Sequence, residues 1–213
     1  MNLKIFIVLV LSFIIALQAI TTYNVSSSTL KAIEKRYGKK AKQRIILWDQ
    51  MLQKAKGQKI LIKLKLVNDF FNRVKYISDK RHWRKNDYWA TPFEFLGTGA
   101  GDCEDYAIAK YFALRKLGVP DKKLKITYVK LLRRGTRFEE AHMVLNYYHK
   151  PNSIPIVLDN VNKKMKLASK RKDLKPIYSF NAAGLWQAKN RGRTIKKVGS
   201  NNLKNWKSLM RRI

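Results

Sequence analysis

At Gly118-Val119-Pro120 the chain changes its hydrophobic period, and that change limits the folds open to it. Upstream, Leu30, Ile33, Tyr37, Ile45, Trp48 and Leu52 recur at helical spacing and predict one helix over 26–57, with Ser26 to Thr29 available as caps. Leu61, Leu64, Val67, Phe70, Phe71 and Val74 predict a second helix over 60–76. Residues 79–101 hold no clear period and read mostly as loop, ending in glycines 97, 99 and 101. A third helix is expected from Asp102, with Tyr106, Ala109, Phe112, Ala113 and Leu117 as its buried stripe and Gly118 as its stop. Downstream, 124–132, 138–148 and 154–159 read as strands, with another near 175–180. Helices followed by antiparallel strands specify an α+β domain.

The ends are expected to stand apart from that domain. Asn2-Leu3-Lys4 followed by an apolar run from Ile5 to Leu17 and small residues near Ala19 is a secretory leader, so 1–20 is read as a signal peptide. The run is shorter than the roughly 20 residues a membrane span needs, so no stable insertion is expected once it is removed. The domain is assigned to 21–190 and a basic, partly helical tail to 191–213, with Leu203, Trp206 and Met210 on one side.

Export usually brings disulfides, yet Cys103 is the only cysteine. It is therefore either buried filler or a working thiol. Gly101-Asp102-Cys103-Glu104-Asp105 sets it at the start of the third helix. There, free N–H groups and the positive end of the dipole favour a thiolate.

A thiol nucleophile needs a base, and the base needs a third group to orient it. The histidines are His82, His142 and His149. His142 lies within a strand, pointing with Val144 and Asn146 while Met143, Leu145 and Tyr147 point the other way. If Tyr148 lies opposite Ser153 in an antiparallel pair, His142 falls opposite Asp159 on the same face. A slip of one residue would undo this. Only Asp159 and Asp173 among the acids follow His142, and Asp159 is the better placed. Cys103 as nucleophile, His142 as base and Asp159 as orienting carboxylate is the expected catalytic set.

The chain carries 46 Lys+Arg against 14 Asp+Glu, a net charge of +32. In so basic a chain, three acids at 102, 104 and 105 need a reason. First-turn acids complement a helix dipole. Alternatively they hold a cation, and oxygen-only ligands favour Ca²⁺ or Mg²⁺ over zinc.

Asp87-Tyr88-Trp89-Ala90-Thr91-Pro92, the run from Gly101 to Lys110, Ala141-His142-Met143-Val144-Leu145, Leu158-Asp159-Asn160 and Tyr178-Ser179-Phe180-Asn181 together resemble the bacterial transglutaminase-like cysteine proteinases. The resemblance spans about 45–188. It implies a papain/transglutaminase-like fold, a Cys103-His142-Asp159 triad, and calcium near Asp102 and Glu104. It further implies a periplasmic endopeptidase that cuts a large surface adhesin near its N-terminus, releasing it and dispersing biofilm. Its implied regulator is an inner-membrane cyclic di-GMP receptor of the LapD type.

Two other functions compete. A transglutaminase would use the same acyl-enzyme but release it to an amine. A basic binding module for nucleic acid or an anionic envelope polymer is suggested by the charge alone. Export argues against nucleic acid as a partner, and one Cys with scattered His lacks zinc-ligand spacing.

Overall fold

The structure is a computed structural model describing residues 25–133, 135–189 and 193–213; the leader expected at 1–20 lies outside them. Helix α1 (Ser27–Tyr37) starts at Ser26, whose Oγ accepts the Thr29 N–H at 3.1 Å. The single helix expected over 26–57 is in fact two. Gly38 takes φ +85°, and α2 (Lys39–Ala55) sets off beyond it. Glycine enters that region without steric cost, so the break is written in a residue that apolar spacing ignores.

Helix α3 (Ile60–Phe71) also stops earlier than its apolar spacing suggests. The chain turns at Asn72, and Lys75–Tyr76 forms strand β1, parallel to β2 (Ala100–Gly101) with Tyr76 opposite Gly101. The stretch read as loop contains α4 (Asp79–His82) and α5 (Pro92–Thr98). Helix α5 has a reciprocal cap: Thr91 Oγ1 accepts the Glu94 N–H at 3.1 Å, and Glu94 Oε2 accepts the Thr91 N–H at 2.8 Å. Pro92 follows at the first helical position, where its missing N–H costs nothing. Helix α6 (Cys103–Lys116) begins where expected.

A short 3₁₀ turn at Asp121–Lys123 leads into the sheet. Its strands are β3 (Leu124–Leu132), β4 (Glu139–Tyr147), β5 (Ile156–Leu158), β6 (Lys166–Leu167), β7 (Leu174–Asn181), β8 (Gly184–Lys189) and β9 (Arg193–Gly199). They lie in the order β6-β5-β4-β3-β7-β8-β9, every adjacent pair antiparallel. Strands β3, β4, β5 and β7 match the four expected, while β6, β8 and β9 were not expected.

Alternation in β4 divides the core as anticipated. Met143, Leu145 and Tyr147 join Ile45, Leu64, Phe71, Phe95, Ile108 and Leu114 in the large core under the helices. Val144 joins Val129 and Val157 in a smaller cluster covered by Ala168 and Leu174. Ile108 on α6 is fully buried. Truncating such a side chain to Ala costs about 2–5 kcal/mol, and here it would loosen the helix that carries Cys103.

The segment expected as a tail packs onto this core. Helix α7 (Lys204–Met210) buries Trp206 and Leu209, with Trp206 stacked on Phe112 at 6.0 Å and 10°. Met210, grouped with them from the sequence, is 42% exposed. Arg212 then reaches back to donate to the Trp89 carbonyl at 2.7 Å and to pair with Glu94 at 2.6 Å.

Candidate active site

Cys103 is the first residue of α6, and the turn before it is tight. A Cβ at Gly101 would meet the Phe95 ring at 2.7 Å and run into the Asp105 carboxylate. That carboxylate is taken by backbone: Oδ2 accepts the Asp102 N–H at 3.2 Å and Oδ1 the Ala90 N–H at 2.8 Å. Asp105 thus ties the helix start to the segment before α5.

The Cys103 thiol donates to Glu104 Oε2 at 3.1 Å. Burial pushes the thiol well up, and the Glu104 carboxylate pushes it further, while the Met143 N–H draws it down. The hydrogen-bond partner of Sγ is Glu104 rather than the imidazole.

His142 Nε2 and Asp159 Oδ1 are 2.8 Å apart, both residues buried. The expected register was two residues out. Leu145 pairs with Leu158 and Asn146 with Val157, which sets Val144, not His142, in line with Asp159. A two-residue slip preserves the face, so the pair forms across the diagonal of the ladder just past its last rung.

Sequence reasoning missed the group behind this pair. Arg171, only 2% exposed, donates through Nη2 to Asp159 Oδ2 at 2.7 Å and binds Asp173 through Nε and Nη2. The Val161 N–H gives Asp159 Oδ1 a further bond at 2.9 Å. Burial alone would raise the Asp159 carboxyl. The bond and charge of His142, with the Arg171 guanidinium, outweigh it and hold the group well below the usual carboxylate range. Asn72 Nδ2 fixes the Asp159 carbonyl at 2.8 Å, and the fully buried Lys110 Nζ donates to Asn72 Oδ1 at 2.7 Å. A chain of buried polar contacts therefore links α6 to the Asp159 turn through the residue that ends α3.

On the other side of the thiol, acids gather. Carboxylate oxygens of Asp79, Asp102 and Asp105, and likewise of Asp79, Asp87 and Glu104, lie within 4.8 Å of one another. Asp102 and Glu104 were expected there from the sequence. Asp79 and Asp87 were not, because they sit in a stretch without period. Burial and the neighbouring Asp102 charge raise Asp79 to about 6, against the pull of the Tyr88 N–H. Burial, then Asp102, push Glu104 up to about 10.

These residues fit a hard cation. Asp79 Oδ1 and Asp102 Oδ1 are buried and have no hydrogen-bond partner, a costly state for carboxylate oxygens that a cation would relieve. Asp79, Asp102 and Glu104 are the donors available to it; the Asp105 oxygens are already engaged. Of the other histidines, His82 packs edge-on to Trp83 and His149 lines a separate basic pocket.

No helix among the described residues is long and apolar enough to cross a membrane. Residues 35–188 match the family model for bacterial transglutaminase-like cysteine proteinases. Among curated proteins no relative matches. Among solved structures, the calcium-bound form of Legionella pneumophila LapG is 41% identical, with a TM-score of 0.73 over 88% of this chain and 99% of that one. The EGTA-treated form of the same protein is 40% identical, with a TM-score of 0.74 over 88% and 97%. With the family model matching well over half its length and these relatives covered almost end to end, the chain belongs to the bacterial transglutaminase-like cysteine proteinases.

Proposed function

We propose that this chain is a calcium-dependent cysteine endopeptidase of the periplasm. In this reading it cuts a large surface adhesin near its N-terminus, releases it and so disperses biofilm. An inner-membrane cyclic di-GMP receptor of the LapD type restrains it. The observation that carries the catalytic part is the buried His142–Asp159 pair at 2.8 Å, on the strand that packs against the helix carrying Cys103.

The roles follow from the bonds. Asp159 accepts from Nε2 and so leaves Nδ1 as the ring nitrogen that takes the thiol proton. Arg171 keeps Asp159 ionised and oriented throughout. For the transfer, the thiol must leave Glu104 and turn to the imidazole. Calcium, held by Asp79, Asp102 and Glu104, would supply the positive charge that this acid cluster lacks. Cys103 Sγ then attacks the peptide carbonyl. The Cys103 N–H, one of the donors that a helix start leaves unpaired, faces the developing oxyanion. Tyr76, held beside Gly101 by the β1–β2 pair, is the candidate for the second donor. His142 returns its proton to the leaving amine, and water hydrolyses the thioester.

The test is incubation of the purified chain with envelope extract, with calcium or with excess EGTA, and sequencing of new N-termini. New termini are expected only with calcium and not with Cys103→Ser. Cleavage by Cys103→Ser would overturn the nucleophile. Incorporation of a labelled amine in preference to hydrolysis would replace the endopeptidase with a transglutaminase.

A further inference from the structure

Beside His142 lies a trough of about 1710 Å³ whose walls are more basic than the rest of the chain. We propose that this trough holds an acidic stretch of the polypeptide substrate, so that charge beside the scissile bond selects what is cut. The inference rests on the proteolytic reading above and adds the chemical class of the substrate.

The trough reaches the reacting groups. Its lining includes His142, Ala141 and Tyr76, and Tyr76 is paired with Gly101, two residues before Cys103. Its outer wall is the connection from β5 to β7. Six of the ten residues from Lys163 to Lys172 are Lys or Arg, against 46 of 213 in the whole chain. The local density is therefore well above what a uniformly basic chain would give.

These charges are also uncompensated. The two acids lining the trough are spoken for, Glu140 by Arg133 at 2.8 Å and Asp173 by Arg171 at 2.7 Å. Lys163, Lys164, Lys166, Lys170 and Lys172 are exposed and make no ion pair among the described residues. The wall that presents them is fixed. Asn68 Nδ2 donates to the Lys163 carbonyl at 2.8 Å, the Ala168 N–H to the Pro155 carbonyl at 2.9 Å, and Arg171 anchors its far end to Asp159. Like charges held on a rigid concave wall focus the field and draw in a chain of opposite sign. A polypeptide is favoured over other polyanions because the trough is continuous with the catalytic histidine, so that its occupant is also what reaches the thiol.

The experiment separates binding from turnover. A short fluorescein-labelled peptide carrying a run of Asp and Glu is compared with its Asn/Gln counterpart, on the full chain with Cys103→Ser, by anisotropy. The acidic peptide is expected to bind about tenfold more tightly at low salt, with the advantage shrinking as salt rises. Lys163→Glu/Lys164→Glu/Lys166→Glu should abolish the advantage. Lys39→Glu/Lys40→Glu/Lys54→Glu on α2, which changes net charge equally, should leave most of it. Single Lys→Gln variants along the trough, expected to weaken binding about twofold each, serve if the triple variant does not fold.

Equal binding of the two peptides, or equal loss in both triple variants, would overturn the proposal. So would binding of heparin or single-stranded DNA that the trough variant loses while the peptide preference persists; that result would assign the trough to a polyanion. With catalytically intact protein, equal cleavage of both peptides sinks the selectivity but spares the proteinase. Preferential binding without cleavage of either sinks the proteinase reading and leaves the acidic-peptide site standing.

Discussion

Around Asp159 each charged group has its complement within hydrogen-bond distance, whereas around Asp102 carboxylates are packed on carboxylates. Asp159 receives His142, Arg171 and the Val161 N–H, and Arg171 in turn holds Asp173. Asp79 and Asp102 each keep a buried oxygen with no partner, and the neighbouring Glu104 accepts the hydrogen bond of the thiol. The two regions flank one sulfur and face opposite electrostatic problems. One is a network whose charges the fold balances by itself, as buried ions require, with Arg171 Nη1 left without a hydrogen-bond partner. The other is complete only when positive charge arrives from outside.

The comparison is most exposed at Asp159. Asp159→Asn keeps the size of the side chain but removes the charge that fixes the imidazole tautomer. Peptide hydrolysis should fall by about 10⁴-fold, measured as kcat with the fold checked by circular dichroism. A loss below tenfold would show that the closed network is not part of catalysis.

Arg171→Met is the next largest effect. It leaves the Asp159 and Asp173 carboxylates without their shared cation, and breaking a buried pair from one side costs about 3–5 kcal/mol. Urea unfolding reads this directly. An unchanged midpoint would mean that Asp159 is held by His142 and backbone alone.

The open region should respond to calcium and the closed one should not. At a hundred times the dissociation constant, a ligand specific to the folded state adds about 2.7 kcal/mol, or about 5–10 °C in Tm for a chain of this size. Asp79→Asn with Asp102→Asn should abolish the shift, while Arg171→Met should retain it despite a lower starting Tm. A melting temperature indifferent to calcium in the unmodified chain would remove the contrast altogether.

The smallest effect belongs to Lys110, which supports the closed side through Asn72. Burial lowers its amine to about 7, against the partial support of Asp159 and Asp69. Unfolded, it titrates near the ordinary ~10.4. The unfolded chain therefore binds the extra proton between those values, so stability from this site is lost as pH falls towards 7 and regained as pH rises. Lys110→Met should remove a slope of at most about 1.4 kcal/mol per pH unit between pH 7.5 and 9. Parallel stability curves for the two proteins would place the charge elsewhere.

The legible parts of this molecule were those in which local pattern and global packing agree. The helix at Cys103 follows from an apolar stripe ended by glycine, and His142 from a strand whose alternation sorts Met143 from Val144. Asp159 was found with a register two residues wrong, because parity alone decides which face a side chain takes. What escaped had no periodic signature. Asp79 and Asp87 reach the site from a stretch whose order comes from caps and the backbone bonds of Asp105. Arg171 was hidden among lysines, distinguishable only by its burial. The break at Gly38 and the docking of Trp206 each depend on one residue rather than on spacing.

A chain with one cysteine comes with its own reporter. Because that thiol donates a hydrogen bond to Glu104, its rate of alkylation by iodoacetamide reads whether Glu104 is engaged elsewhere. Following that rate through a calcium titration would report cation occupancy at a single chemically defined atom, with no dye to attach, no substrate to identify and no second thiol to confuse the count.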